Sequence, residues 1–284
     1  QASAGATEYR WSSSSSFANS FSMGTSTTYT ETGLNCNWAY TRYLWAVNDC
    51  GRSDSIVLTQ STPVCPWTCN QTITDPRDNK EYMTVQIGTQ CWFRQNLNIG
   101  TMISGSLQQK NNGVIEKYCY NDLTGNCNTY GGMYRWGEMV QYLNGAGDST
   151  TWYPEPNGNV QGICPAGWHL PTEAEWNTLV NYLGGTTVAG GKLKESTQTY
   201  WAAPNVASNE SGFTALPGGY RHPNGAFFSF NVEGKIWSVS QGSSAGGGLY
   251  LTAGMLGLFN SSSSAGFSQL TKRYGIYVRC VKDN

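Results

Sequence analysis

The sequence predicts an α+β fold, on three observations. The stretch CPAGWHLPTEAEWNTLVNYLGG, Cys164 to Gly185, carries the signals of one amphipathic helix. The stretch GGMYRWGEMVQYL, residues 131–143, fits a second. Nearly all of the remainder is short apolar runs separated by Gly, Asn and Ser, the pattern of short antiparallel strands and turns.

The first helix is specified at both ends and along one face. Thr172 and Glu175 spell a capping box, in which hydroxyl and carboxylate each satisfy an orphan backbone N–H at a helix start. Trp176, Leu179, Val180 and Leu183 fall at i, i+3, i+4 and i+7, one stripe of a 3.6-residue period, and Gly184-Gly185 supplies a left-handed stop. The second helix would turn Met133, Trp136, Met139, Val140 and Leu143 inward.

Upstream, residues 1–63 read as strands and turns alone: TEYRW, a Ser-rich loop at Ser12 to Ser16, TTYTETGL, YTRYLWAVND, a Cys-Gly turn and SIVLTQST. Residues 64–68 make a linker and residues 69–284 a second domain. The strand Tyr40 to Asn48 is apolar on both faces, Tyr40, Leu44 and Ala46 on one and Tyr43, Trp45 and Val47 on the other. A half-solvated strand would leave one face polar. Cover by a tail or the second domain explains this, and a subunit contact through Tyr43, Trp45 and Val47 is the sharper alternative. The second domain opens with a hairpin, TITD and EYMTVQIG around the turn at residues 76–80, and later strands fit GFTALPGGYR, FFSFN, KIWSVS, GLYLTAG and YGIYVRCV. Gly246 to Gly248 and Ser261 to Ser264 are loop material.

Charged residues make up 12% of the 284 and the formal net charge is −1, against about 25% charged in an average soluble domain. With no run of Lys or Arg, the chain lacks the basic footprint that nucleic acid or an anionic membrane requires. No apolar run reaches membrane-spanning length. Gln1 begins no signal peptide, so the chain is expected to be mature or a fragment.

Nine scattered cysteines suggest disulfides and an oxidising, extracellular compartment. Cys36 and Cys50 sit at opposite ends of one strand, where roughly nine residues at about 3.3 Å each exceed the ~7 Å limit for bridging. Cys65 returns to the Cys36 end, which pairs Cys36 with Cys65 and leaves Cys50 an odd thiol. Cys69 with Cys91 would close the hairpin, Cys119 and Cys127 bracket a short loop, and Cys164 and Cys280 remain.

Catalysis finds little support, because His169 and His222 have no nucleophile or carboxylate partner evident in sequence. Asn121, Asp122 and Asn126 could offer oxygens to Ca²⁺, although one carboxylate makes a weak site and Asx turns explain them as well. Among eleven tryptophans, Trp136, Trp168 and Trp176 belong to helical motifs and are expected in the core. Trp67, Trp152 and Trp201 lie in loop-like contexts and are the candidates for stacking on a glycan. Asp54-Ser55-Ile56 and Asp148-Ser149-Thr150 look like short acceptors for O-glycosylation, with Ser149 the better exposed of the two hydroxyls. Asn70, Asn209 and Asn260 begin N-x-Ser/Thr sequons.

A run of motifs in fixed order resembles a known family. Cys-Pro-x-Gly-Trp-x-Leu-Pro-Thr-x-x-Glu-Trp, Cys164 to Trp176, is similar to the signature of the Fibrobacter succinogenes major paralogous domain of bacterial extracellular proteins. TVQIGTQCW (Thr84 to Trp92), CYND (Cys119 to Asp122), YGGMYRW (Tyr130 to Trp136), SGFTALPGGYR (Ser211 to Arg221) and YVRCVKD (Tyr277 to Asp283) extend the likeness over residues 69–284. Leu-Pro-Thr-x-x-Glu-Trp also resembles the helix start of formylglycine-generating and C-type-lectin-like folds. The resemblance implies a C-type-lectin-like domain with two main helices, locked by a bridge to its final strand. Glu155-Pro156-Asn157 spells a tripeptide of sugar-binding lectins, but it lies upstream of the main helix and reads as a turn. Upstream of that domain, the order of strands resembles a fibronectin type III sandwich lacking its first two strands.

These readings lead to an expectation of a non-catalytic extracellular structural protein, self-associating into a surface filament or layer by strand complementation. Alternatives are an adhesin that binds glycans or cell surfaces, and an enzyme related to sulfatase-modifying factors.

Overall fold

The computed structural model describes residues 3–35, 38–63, 68–245 and 250–283. It divides into two compact units, Gln1–Thr68 and Cys69–Asn284. The expected Cys36–Cys65 bridge and Trp67 lie outside the described residues.

Unit 1 is a single antiparallel sheet of β1 (Glu8–Ser12), β2 (Phe21–Ser22), β3 (Ala39–Asn48), β4 (Gly51–Arg52) and β5 (Ile56–Ser61). The long β3 is its spine. β1 pairs along one side of it, from Glu8 opposite Val47 to Ser12 opposite Tyr43. β5 pairs along the other, from Ile56 opposite Leu44 to Ser61 opposite Ala39. The expected fibronectin type III-like sandwich is therefore corrected, since the strands among the described residues of unit 1 all belong to one sheet.

Unit 2 opens with the expected hairpin, β6 (Thr72–Asp75) and β7 (Lys80–Ile87). Buried Asp75 closes its turn by accepting from the backbone N–H of Arg77 at 3.0 Å and from the Arg77 guanidinium at 2.6 Å. There follow β8 (Gln90–Phe93), β9 (Thr101–Met102), β10 (Glu116–Lys117), α1 (Thr124–Tyr130), β11 (Met133–Tyr134), α2 (Trp136–Met139) and β12 (Trp168–His169). The remaining elements are α3 (Glu173–Tyr182), α4 (Thr186–Leu193), β13 (Tyr220–Arg221), β14 (Phe227–Phe228), β15 (Glu233–Ala245), β16 (Tyr250–Phe259), β17 (Ala265–Thr271), β18 (Ile276–Tyr277) and β19 (Val281–Lys282). Two five-stranded sheets carry the unit, in the orders β11-β18-β15-β16-β17 and β12-β19-β8-β7-β6.

The α+β, C-type-lectin-like expectation is overturned. Strand accounts for 33% of the chain and helix for 14%, and the described residues hold four α-helices rather than two main ones. α3 starts and stops where its sequence says: Thr172 Oγ1 accepts from the Glu175 N–H at 3.2 Å and Glu175 Oε2 from the Thr172 N–H at 2.8 Å. The helix expected over residues 131–143 shrinks to one turn. Met133 and Tyr134 pair with β18 as β11, and Gln141 and Tyr142 turn left-handed at φ 54° and 51°. That turn leaves Leu143, expected inward, exposed, while Met133, Trp136, Met139 and Val140 are buried.

Several strands of unit 2 are apolar without alternation because both of their faces are buried. Trp92, Ile236, Leu256, Tyr277 and Val281 enter one core cluster. Their chain neighbours Phe93, Trp237, Met255, Ile276 and Cys280 enter another. A strand's period of two thus feeds two cores, as in any sheet covered on both sides.

Unit 2 also contains much irregular backbone, whose carbonyls must still find donors. Buried cations supply them. Lys194 Nζ donates to the carbonyls of Phe259, Asn260 and Ser262 at 2.6, 3.1 and 2.8 Å, and Arg221 donates to those of Gly105 and Leu107. Burial lowers the Lys194 amine to about 8 and lowers Arg221 as well.

Candidate functional site

A wide cleft lies in unit 1, on one face of its sheet. Because directly opposed residues in an antiparallel pair share a face, the registers place Trp11 with Leu44, Arg42 with Leu58, and Tyr40 with Gln60 on that face. The irregular segment with Met23, Tyr29, Glu31 and Leu34 forms the opposite wall, enclosing a groove of about 560 Å³. Arg42 is its electrostatic centre. Its guanidinium donates to both Glu31 oxygens at 2.6 and 2.8 Å and lies over the rings of Tyr40 and Trp11 at 5.0 and 5.7 Å. The hydrogen bonds to Glu31 raise the pKa of Arg42, so the groove keeps a fixed, internally neutralised ion pair. Trp11 Nε1 is buried without an acceptor.

The groove runs out onto an open edge. Among the described residues β5 pairs only with β3, and all six of its residues are exposed, with Ile56, Val57 and Leu58 at 64%, 55% and 51%. Volume, aromatic walls and a few convergent polar groups fit a site that binds. Free main-chain groups along β5 fit a partner in extended conformation.

In unit 2 the sequence's isolated histidine proves to sit between two carboxylates. Buried His169 meets Glu175 Oε1 through Nε2 at 2.7 Å and Asp283 Oδ1 through Nδ1 at 2.6 Å, with Asn159 Nδ2 at 3.2 Å. Glu175 is also part of the capping box of α3, so the imidazole ties that helix start to the residue that follows β19. Burial alone would lower the His169 pKa, but the two carboxylates outweigh it and hold it above the ordinary value. Burial would raise Glu175, and His169 with Thr172 outweigh that and hold it low. A raised histidine pKa contributes stability below the unfolded value that is lost as pH rises through the folded one. A lowered carboxylate pKa contributes stability above its unfolded value that is lost on acidification. Raising the pH from about 6 to about 7.5, below the range in which the buried Lys117, Lys194 and Lys272 lose their protons, should therefore lower the thermal midpoint more in the native chain than in His169→Gln, as scanning calorimetry would measure.

Residues 85–282, more than half of the chain, match the Fibrobacter succinogenes major domain. The chain belongs to that family. No curated protein and no solved structure matches it. The Fibrobacter succinogenes major domain as matched begins within β7. Its sheet nevertheless runs through β7 to β6, so the folded unit starts upstream of the match. The groove and the β5 edge lie outside the matched segment altogether.

Among the described residues of unit 2 three bridges are formed, Cys69–Cys91, Cys119–Cys127 and Cys164–Cys280. They are compatible with an oxidising compartment. Cys50, in unit 1, is a free and exposed thiol. The glycan candidates are corrected: Trp152 is buried with its ring 4.7 Å from Trp136, and Trp201 is buried with Nε1 donating to the Ala215 carbonyl at 3.0 Å. Neither indole offers a face to a sugar, although both sit in irregular chain.

Two of the candidate Ca²⁺ ligands, Asp122 and Asn126, have polar atoms engaged by protein groups. Asp122 accepts from Ser104 Oγ at 3.0 Å and the Gly105 N–H at 2.7 Å, Asn126 donates to the Tyr120 carbonyl at 2.9 Å, and Asn121 takes a left-handed turn. No group of three or more His, Cys, Asp or Glu side chains is poised for a metal among the described residues. Ser149 and Ser55 are both exposed, and Asp148 is ion-paired with Arg135.

The candidate subunit contact divides. Trp45 is buried by its own unit, with Phe17 edge-on at 5.5 Å, and Arg52 and Arg10 lie over the Phe17 ring at 4.4 and 5.5 Å. Tyr43 and Val47 remain partly exposed. The more open face is the opposite one, with Tyr40, Arg42 and Leu44. Two signals pointed to it: an arginine set between apolar residues of one strand face, and a glutamate eleven residues upstream to pair with it.

Proposed function

We propose that the protein is a non-catalytic extracellular structural subunit whose unit 1 sheet is completed by an extended segment of a neighbouring subunit, building a surface filament or layer. The observation that carries this is β5, an edge strand exposed along its whole length and bordered by an apolar groove. A strand laid along it would satisfy its main-chain groups and cover Ile56 and Leu58. Soluble proteins blunt or cover such edges, and this one does neither with its described residues. Family membership supports a structural role, and the two-carboxylate cage around buried His169 supports the absence of catalysis. The glycan-binding alternative has lost two of its three indoles to the core.

Electron microscopy of native material and of a Leu58→Lys variant tests the proposal. Native protein should form ordered filaments or sheets. A lysine buried at that contact should cost about 3 kcal/mol, roughly a hundredfold in association constant, and leave folded monomers by light scattering. Native protein that stays monomeric at all concentrations, or a variant that assembles as well as the native chain, would refute it.

A further inference from the structure

We infer that the loop from Glu195 to Asn205 binds a hard divalent cation of calcium's class through Glu195 Oε2 and Asn205 Oδ1. The site lies in unit 2 and is independent of the groove. Glu195 leaves α4 with its N–H bound to the Ala215 carbonyl at 3.0 Å, and the residue is 8% exposed. One carboxylate oxygen, Oε1, accepts from the Thr197 N–H at 2.7 Å, while Oε2 is buried and has no donor. The neighbouring cation cannot serve, since Lys194 Nζ is committed to three main-chain carbonyls.

Asn205 closes the same loop. Its Nδ2 donates to the carbonyls of Glu195 and Thr197 at 3.2 and 3.1 Å. Those two acceptors fix the amide orientation, because exchanging its N and O would set oxygen against two oxygens. Oδ1 is then an acceptor, and it too is buried without a donor. One loop thus holds two orphan oxygens, one of them on a carboxylate.

Native proteins rarely leave such atoms unmet. A water at either oxygen would leave the buried carboxylate charge uncompensated. A hard cation answers charge and lone pairs together, taking carboxylate and amide oxygens and completing its shell with water. Residues 196–199 are exposed and give it an entry path. The irregular loop suits Ca²⁺, which tolerates varied geometry, better than Mg²⁺, which demands an octahedron. A single carboxylate places the affinity in the weak range of extracellular modules, a Kd of about 10⁻⁴–10⁻³ M.

Calorimetric titration of the disulfide-bonded full chain with CaCl₂, after chelation and at constant ionic strength, decides the matter. One saturable site in that range is expected, with a Kd at least about tenfold higher in both Glu195→Gln and Asn205→Ala, since each removes a ligand and the first removes the charge. Should Glu195→Gln fail to fold, Asn205→Ala is read in its place. Absence of saturable binding up to about 10 mM, an equal response to NaCl, or unchanged affinity in the variant that folds overturns the inference.

Discussion

Replacing Cys164 and Cys280 together by serine is expected to lower the stability of unit 2 more than removing either of its other bridges. In the chain-entropy account, a crosslink stabilises by shrinking the unfolded ensemble, and its effect grows with the loop it closes. This bridge spans 116 residues, against 22 for Cys69–Cys91 and 8 for Cys119–Cys127. The corresponding losses are about 5, 3 and 2.5 kcal/mol. Native structure points the same way. Cys164 and Cys280 are both fully buried in one core cluster, joining the segment before α3 to the chain between β18 and β19. Urea unfolding of the three double-serine variants measures the order directly. Equal losses would mean that the longest loop is already restrained in the unfolded chain, the known weakness of the entropic account.

What could be read from sequence was whatever short-range chemistry decides. The α3 boundaries follow from a capping box and a glycine pair within about a dozen residues, and the β6–β7 hairpin from a turn that Asp75 closes locally. Where tertiary contacts decide, the residue pattern misled. Met133 and Tyr134 have helical spacing with their neighbours, but pairing with β18 claims them as strand. Gly190 and Gly191 hid α4, whose close approach requires them: a Cβ on Gly190 would stand 2.0 Å from the Ser264 carbonyl oxygen. Trp152 and Trp201 look like loop residues because they are, and the core reaches out to include them. The groove was half visible. Two apolar faces on β3 were legible, but which one its own unit covers depended on Phe17, more than twenty residues away.

Arg279→Met is expected to destabilise unit 2 by about 3–5 kcal/mol, although it removes a buried charge that has no carboxylate partner. Arg279 is fully buried, stacked 4.0 Å from the centre of the Phe213 ring, and burial, with Arg94 nearby, lowers its pKa to about 9. It therefore stays charged at neutral pH, with main-chain oxygens doing the work of a counter-ion. Its guanidinium donates to Asn96 Oδ1 at 2.9 Å and to the carbonyls of Phe93 at 3.3 Å, Thr214 at 3.1 Å and Phe213. Exchanging a buried ion pair for apolar groups can be harmless when both partners change. Here the acceptors are chiefly backbone and cannot be changed, so methionine strands them. Each orphaned acceptor costs about 1–3 kcal/mol before the chain relaxes. Lysine should recover only part, since a single ammonium cannot span acceptors on two separate stretches of chain as a planar fork does. Arg94→Met supplies the control. Arg94 is partly exposed and donates to one carbonyl, that of Gly212 at 3.0 Å, so its loss should stay near about 1 kcal/mol. In urea unfolding, a large loss at residue 279 beside a small one at 94 would show that unit 2 is held by buried cations knitting irregular backbone together. Similar small losses at both would return that role to the apolar clusters.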